Sequence, residues 1–453
     1  MTLSSVIAEY LAAADLKQIP AAALSAARRS LIDTVAVALS AKVLSGTAPA
    51  LTVDDEDSTA ARCTLWLNGD KTSIRTAAFN NSVAAAALDF DSLHAETATH
   101  PDIVIVPSVL AVGESLNLSG YETLSAIALG DDLLCRMARC TQKHAGWFYT
   151  SLYGGIAAAA ITAFLVRCDS EGITNAMGLA YLTAGGTQQP AFEKSMAKRF
   201  SAAFAVLCGL TASQLAKSGI SGPGEIFEGR FGLFEMYEMG DADRLTAGLG
   251  HVFENERISY KAYPSCQCNH AIIEAVVNLR KRHGLKSSDV SEIVLSISPY
   301  MERLVGRAFK PGKFSQVDAQ FSAQFSAACA MFYGRLGVEE IVKADACEPA
   351  LACLIQKVTI IVDPNNNGKY APVSVVIKLN DGQMFAETAT SYSGSPERPL
   401  REDDLLGKFR SAVALGNYDA GVAEKLLNSL RSLESCNSIG AIMAPLRALT
   451  AAN

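Results

Sequence analysis

The sequence predicts a mainly α-helical protein with a large all-helical domain and a smaller α+β domain. Three observations lead to this prediction. Over roughly the first 260 residues, apolar side chains recur at the three-to-four spacing of helices, and after Ser259 short alternating strands appear between helical segments. At 453 residues the chain is also too long for one ordinary core. We expect residues 1–265 and 400–453 to form the helical domain and residues 266–399 the α+β domain.

Helical patterns fill the first half of the chain. Leu24, Leu31 and Leu39 belong to an apolar stripe on a helix that begins at Pro20, since proline is favoured at the first helical position. Further helices are predicted over residues 73–88, 108–116, 121–140 and 151–166, with one possible short strand at 64–67. The 151–166 segment carries no charge, but it is rich in Ala and Gly and short for a bilayer, which favours a buried helix.

The second half mixes helices and strands. A helix over residues 269–283 leads into an alternating strand over 292–298, and further strands are predicted over 358–362, 373–379 and 383–388. The turn Asn380-Asp381-Gly382 joins the last two strands. Helical patterns at 320–333 and 338–343 lie between them. From Arg401 onward the pattern is helical again, and we expect this part to return to the helical domain.

Composition limits the possible partners and the cell compartment. The net charge is −7 and the chain has no Lys/Arg-rich stripe, so we expect no nucleic-acid partner. Glu9 and Asp15 interrupt the apolar run that a secretion signal needs, which predicts a cytoplasmic protein without a membrane partner. The eleven cysteines are scattered through apolar segments, as reduced, core-filling thiols usually are.

One short stretch concentrates titratable groups between two apolar segments. Asp89, Asp91, His94, Glu96 and His100 fall within twelve residues. Carboxylates this close can orient imidazoles, as they do in acid–base sites. From the residues alone, an active-site loop and a satisfied polar loop are about equally supported.

Two further side chains could carry chemistry. Taken alone, Lys198 is more simply a solvated loop lysine and Cys266 a buried apolar thiol. Lys261 is five residues from Cys266, however, and a helix beginning near Asn269 would favour the thiolate. The spacing Cys-x-Cys-x-His from Cys266 does not bring three metal ligands together, and no glycine pattern forms a phosphate loop, so we expect no metal and no cofactor.

Several segments together resemble the MmgE/PrpD family. In chain order they are ALDFD, HPDIVIVPSVLAVGE, GWFYTSLYGGIAAAA, EKSMAKRF, SGISGPGEIFEGRFG, KAYPSCQCNH and DAQFSAQFSAA, and they cover nearly the whole sequence. The family includes 2-methylcitrate dehydratase, cis-aconitate decarboxylase and iminodisuccinate epimerase. The resemblance implies a homodimer, a chorismate-mutase-like topology in the α+β domain, a site between the domains, and no cofactor.

The same resemblance assigns roles to individual residues. The family's acidic and histidine positions fall on Asp89 and His100, its active-site lysine on Lys198, and its substrate-facing histidine or cysteine on Cys266. We expect these four to be catalytic. Lys198, next to Arg199 and partly shielded from water, would act as a base. The expected substrate-binding residues are His94, Arg199, Lys261 and Tyr149.

Three positions depart from the family pattern and shape the predicted function. Phe148 and Ser201 stand where the family usually has histidines, and Phe325 stands where the decarboxylases have a tyrosine. Because epimerisation needs only two proton carriers, we predict a cofactor-independent epimerase of a small amino- or imino-dicarboxylate, similar to iminodisuccinate epimerase, with Lys198 and Cys266 as the two bases. The alternatives are a lyase similar to 2-methylcitrate dehydratase that acts on a tricarboxylate, with His100 as the acid, and a catalytically dead binding member of the family.

Overall fold

Helices dominate the first part of the chain. The computed structural model describes residues 1–44, 62–141, 146–237, 240–310 and 316–449. The helices before residue 260 are α1 Leu3–Ala13, α2 Ala21–Ser40, α3 Ile74–Ala86, α4 Asp102–Leu116, α5 Gly120–Arg139, α6 Tyr149–Leu165, α7 Ser170–Tyr181, α8 Gln189–Phe192, α9 Ser201–Lys217, α10 Leu233–Met236 and α11 Ala242–Thr246. Four two-residue strands accompany them: β1 Cys63–Thr64, β2 Lys71–Thr72, β3 Leu93–His94 and β4 Ile258–Ser259. The prediction that this region is mainly helical is confirmed.

Small side chains set the packing at the centre of the helical part. The uncharged helix α6 is buried along nearly its whole length, as the sequence predicted. Helix α9 lies so close to it that a Cβ atom at Gly209 would come within 2.5 Å of the Ala158 Cβ atom. This contact fixes α9 and, with it, the 3₁₀ turn Met196–Phe200 that precedes α9 and carries Lys198.

A four-stranded sheet with helices forms the rest of the middle region. Its strands are β5 Val290–Ile297, β6 Val358–Val362, β7 Val373–Leu379 and β8 Met384–Ala389, in the order β6-β5-β7-β8. Strands β5 and β6 are parallel and the other pairs antiparallel. The accompanying helices are α12 His270–His283, α13 Pro299–Val305, α14 Gln316–Gln320, α15 Ala323–Tyr333, α16 Val338–Val342 and α17 Pro349–Gln356.

The last helices return to the helical part. They are α18 Glu402–Leu415, α19 Ala420–Arg431, α20 Ile439–Met443 and α21 Leu446–Leu449. Leu405 and Phe409 of α18 share one apolar core with Leu31 and Val35 of α2, whereas the sheet and α12 enclose a second core. The exact domain limits and the chorismate-mutase-like topology stay predictions.

One helical stretch in the described chain meets the length and hydropathy criteria for crossing a membrane. It is Met196–Lys217, and half of its most apolar window is buried inside the fold. The core helix of a folded protein meets the same criteria, so this finding assigns no membrane role. The cytoplasmic location stays a prediction.

Candidate active site

A small strand pair brings the acidic loop to the junction of the two cores. Strand β3 pairs antiparallel with β4, with Leu93 opposite Ser259. The loop that begins at Asp89 therefore lies against the segment that continues from β4 to Lys261 and Cys266. Phe90 belongs to the helical core and Leu93 to the α+β core, so the loop passes from one to the other.

A cavity of about 80 Å³ opens beside this loop. Five of the eight predicted site residues line it: Asp89, His100, Lys198, Lys261 and Cys266. The structure thus brings together residues that are up to 177 positions apart in sequence, and the site lies between the two cores.

Asp89 is the centre of the charged groups in the cavity. Its backbone is in the left-handed region, with φ +50°, which aspartate tolerates better than most residues. One carboxylate oxygen forms a short ion pair with the Lys198 ammonium, and the other lies 3.0 Å from Lys261 Nζ. Burial alone would raise the pKa of Asp89, but the ammonium groups of Lys198 and Lys261 outweigh it and hold the pKa well below its usual range. Asp89 is therefore an anion shared by two cations.

Lys261 is buried behind Asp89. Its ammonium also donates to the Asp89 backbone carbonyl, at 2.7 Å. Burial alone would lower the pKa of Lys261, but the carboxylates of Asp89 and Asp91 raise it above its ordinary value. Lys261 is consequently a fixed positive charge at the cavity wall. The Lys198 ammonium, more accessible, lies 5.0 Å from the centre of the Phe321 ring.

His100 forms a dyad with Asp91. Its Nδ1 atom donates to an Asp91 carboxylate oxygen at 2.6 Å, which fixes the tautomer and leaves Nε2 for the cavity. Its backbone N–H donates to Thr150 Oγ1, at 3.0 Å, so the start of α6 holds the histidine in place. Burial alone would raise the pKa of Asp91, but His100 and Lys261 lower it. This is the geometry of an imidazole oriented for proton transfer.

Cys266 supplies a thiol to the same cavity. It precedes the 3₁₀ turn Gln267–Asn269, which continues directly into α12, and its backbone N–H donates to the Gln320 carbonyl at 2.9 Å. A hydrogen bond from the Cys268 thiol lowers the pKa of Cys266, and Lys261 adds to this effect, while burial and Asp89 oppose it. The pKa of Cys268 is raised in turn. Cys266 is thus the thiol of the pair that ionises first.

Three of the predicted substrate-binding residues lie outside the described cavity lining. His94 is turned away by the β3–β4 pairing, and its ring nitrogens face Thr97 and Glu254, at 2.9 and 3.6 Å. Arg199 is buried and donates to Gln316 Oε1 at 3.4 Å. Tyr149 packs within α6 against the ring of Tyr153. These three side chains do not line the described cavity, and the roles of all eight residues stay predictions.

The three departures from the family pattern occupy different environments. Phe148 lines the cavity, with its ring centre 6.1 Å from that of His100. Phe325 is fully buried against Phe309 and does not line the described cavity. Ser201 begins α9, and its carbonyl accepts from Ser151 Oγ. Only Phe148 therefore replaces a polar group at the cavity wall itself.

The sequence did not predict several wall residues. Tyr300 at the start of α13 and Tyr370 before β7 both line the cavity, as do Phe321 and Gln267. Burial raises the pKa of both tyrosines above the ordinary value, so their hydroxyls stay protonated donors. No local pattern marks Tyr300 or Tyr370. Gln267 could have been suspected, since it is next to Cys266.

One group of residues in the described chain has metal-ligand spacing. Oxygen and nitrogen atoms of His94, Glu96 and Glu254 lie within 4.8 Å of one another. Arg139 neutralises these carboxylates, at 2.5 Å from Glu254 and 3.1 Å from Glu96, and Arg257 lies near both. The group is explained as an ion-pair network, because its negative charge is already balanced.

Fold and site together define a class of protein. A mainly helical chain with an α+β unit encloses, at their junction, an acid–base centre rich in fixed positive charge, which suits a small anionic ligand. Two family models match the sequence, the MmgE/PrpD N-terminal domain over residues 5–245 and the MmgE/PrpD C-terminal domain over residues 263–431. The chain belongs to the MmgE/PrpD family, as its motifs predicted.

Curated relatives in this family carry lyase names. The chain is 23% identical to a cis-aconitate decarboxylase-like protein of Aspergillus oryzae, over 94% of this chain and 93% of the relative. It is 25% identical to the cis-aconitate decarboxylase of Homo sapiens, over 81% and 79% of the two chains. It is 24% identical to that of Aspergillus terreus, over 79% and 78%. These names favour a lyase over the predicted epimerase.

Proposed function

We propose that this protein is a cofactor-independent lyase that acts on a small tricarboxylate similar to cis-aconitate or 2-methylcitrate. The observation that carries the proposal is the convergence of two lysine ammonium groups, a His100–Asp91 dyad and the Cys266 thiol on one cavity. The names of the curated relatives support the same reaction class. They favour it over the epimerase that the sequence alone suggested.

The lysines provide the carboxylate-binding part of the mechanism. Lys198 and Lys261 share a single carboxylate, Asp89, so the three groups together keep one net positive charge. A substrate carboxylate can take over the Lys198 ammonium, which is the more exposed of the two. The ion pair of Lys198 with a carboxylate suits anion binding better than the base role predicted for Lys198.

Proton transfer falls to His100 and Cys266. In decarboxylation, CO₂ leaves and the electron pair of the broken C–C bond forms a carbanion, to which a doubly protonated His100 would donate its Nε2 proton. In dehydration, the Cys266 thiolate would take the proton beside a carboxylate while His100 protonates the departing hydroxyl. Both routes use His100 as the acid. The complete set of groups argues against a catalytically dead member of the family.

A product assay in deuterium oxide tests the proposal. The purified protein is incubated with cis-aconitate, citrate, 2-methylcitrate and, for comparison, aspartate and iminodisuccinate, and NMR follows loss of CO₂, loss of water and α-proton exchange. Loss of CO₂ or water from a tricarboxylate supports the proposal. Lys198→Met should then raise KM, whereas the matched control Lys217→Met, on the exposed end of α9, should not. Exchange on the amino- or imino-dicarboxylates alone, or no turnover, would refute the lyase.

A homodimer is also part of this proposal. Several large apolar side chains between residues 182 and 231 of the helical part are exposed, among them Leu182 (69%), Phe192 (62%), Phe204 (62%) and Phe231 (71%). Large exposed apolar patches mark interaction sites. A second copy of the chain would cover these side chains.

A further inference from the structure

We infer that Lys408, on helix α18, is a positioning residue that holds the segments of Asp89 and Lys261 in their relative positions. The inference rests on the proposed function, because it gives those two residues a role in binding the substrate. Lys408 does not line the described active-site cavity, and nothing in its local sequence marks it.

The contacts of Lys408 are all directed at the site backbone or at one buried acid. Its ammonium donates to the Phe90 carbonyl at 2.7 Å, to the Lys261 carbonyl at 3.2 Å and to Asp33 Oδ1 at 2.8 Å. An ammonium has three N–H donors, so this set uses all of them. The same ammonium lies 3.7 Å from the centre of the Phe90 ring.

These contacts close a ring around the centre of the site. Phe90 lies between Asp89 and Asp91, and its carbonyl is bound by Lys408. Lys408 also binds the carbonyl of Lys261, whose own ammonium returns to Asp89 Oδ2 at 3.0 Å. Asp89 and Lys261 are therefore joined twice, once directly and once through Lys408. The second link fixes the main chain at Phe90, directly after Asp89, whose φ of +50° needs support from its surroundings.

A role in stability alone explains this arrangement less well. Asp33 and Lys408 are almost completely buried, at 0% and 5% exposure of their side chains. A buried ion pair loses hydration on folding, so apolar residues of similar size are often as stable in its place. Burial lowers the pKa of Lys408 and raises that of Asp33, which reflects the same cost. Apolar side chains could fill the space of Asp33 and Lys408, but they could not donate hydrogen bonds to the Phe90 and Lys261 carbonyls.

A set of variants separates a positioning role of Lys408 from a role in the stability of the fold. Asp33→Leu/Lys408→Met removes both charges and keeps apolar volume, so no unpaired charge remains, while Asp33→Asn keeps the bonds to the two carbonyls. The matched control is Lys71→Met, which removes another lysine bound to a buried carboxylate, Glu114 at 2.7 Å. Melting temperature, kcat and KM are measured for each with the tricarboxylate that the wild-type protein converts.

We expect a split between stability and turnover. The double variant should stay folded with kcat lowered about 10–100-fold, because displacement of reacting groups by about 1 Å has effects of this size. Asp33→Asn and Lys71→Met should stay within about threefold of the wild-type kcat. A double variant with unchanged kcat, or a kcat that falls in all variants in parallel with the melting temperature, overturns the inference.

A structural measurement keeps this test separate from the proposed function. In a crystal structure of the folded double variant, the distance between Asp89 Oδ2 and Lys261 Nζ should exceed the 3.0 Å of the present structure. If wild-type protein converts no tricarboxylate, the proposed function fails, and the crystal structure still decides on Lys408. An unchanged distance shows that Lys408 does not position these groups.

Discussion

Replacing Asp102 by Asn should change how the stability of this protein depends on pH. Asp102 lies in the first turn of α4, directly after His100 and Pro101, and is completely buried. Its carboxylate accepts from Ser92 Oγ at 2.6 Å, and Asp131 lies beside it. Burial raises the pKa of Asp102 from 3.8 to about 7.

The sign of the effect follows from the raised pKa. Between about pH 4 and pH 7 the folded chain keeps a proton on Asp102 that the unfolded chain has lost, so stability falls as pH rises. The stability that the proton on Asp102 gives the folded chain is fully present below about pH 4 and lost above about pH 7. One pKa unit corresponds to about 1.4 kcal/mol, and Asp102 is half ionised in the folded chain when the pH equals its pKa of about 7. Between pH 5 and pH 7 this carboxyl should therefore remove about 2 kcal/mol from the free energy of unfolding.

Urea unfolding at pH 5, 6, 7 and 8 measures this effect. The difference in unfolding free energy between Asp102→Asn and wild type should shift by about 2 kcal/mol in favour of the variant from pH 5 to pH 7, and level off near pH 8. The pKa of Asp131 is raised by burial and also by Asp102, so the measured difference belongs to the Asp102–Asp131 pair. Asp404→Asn, which changes a carboxyl at the protein surface, serves as the control. A difference that does not change with pH would contradict the raised pKa of Asp102.

Three further predictions test other parts of the site and surface. Asp91→Asn should lower kcat about 10²–10⁴-fold with little change in KM, because His100 loses its orienting carboxylate; an equal fall in the control Asp363→Asn would refute this. Phe204→Glu should shift the protein from dimer to monomer in analytical ultracentrifugation, whereas Met384→Glu, at another exposed apolar position, should not. EDTA followed by dialysis should leave turnover unchanged, because the one ligand-like cluster in the described chain is balanced by arginines; loss of activity that Zn²⁺ restores would contradict this.

The parts of the fold that the sequence predicted best have strong local patterns. The strands at Val358–Val362 and Val373–Leu379 were predicted residue for residue, and in the latter, alternate side chains are buried. The helix expected over residues 320–333 is instead broken, because the Ser322 side chain accepts from the Phe325 N–H and starts a new helix. Repeated Phe-Ser pairs in this segment gave no sign of which one would cap.

Site prediction succeeded where motifs carried information and failed where only tertiary contacts decide. The five residues that meet at the cavity all lie in segments that resemble the family. The sequence predicted a substrate-binding role for His94 and no separate role for Asp91. In the structure, the two-residue strand β3 turns His94 towards Glu254, and Asp91 pairs with His100. Lys408 reaches Phe90 across 318 residues. No local pattern predicts such a contact.

The choice between loss of CO₂ and loss of water depends on Cys266. Phe148 stands on the cavity wall in place of a possible proton carrier. The raised pKa values of Tyr300 and Tyr370 keep their hydroxyls protonated, so neither tyrosine can act as the base. Dehydration needs a base together with an acid, whereas decarboxylation needs only an acid. Cys266, with its lowered pKa, is the thiol that can act as the base.

Cys266→Ser should therefore separate the two reactions. If the protein is a dehydratase, kcat should fall about 10²–10⁴-fold, because a serine hydroxyl does not ionise in this pH range. If it is a decarboxylase that uses His100 alone, kcat should change less than about tenfold. Product formation by Cys266→Ser is compared with Cys268→Ala, which leaves the Cys266 thiol in place but removes its hydrogen-bond donor and so should shift the pH profile of a dehydratase upward. An equal loss in both variants, with no shift of the pH profile, would show that the thiol only fills space.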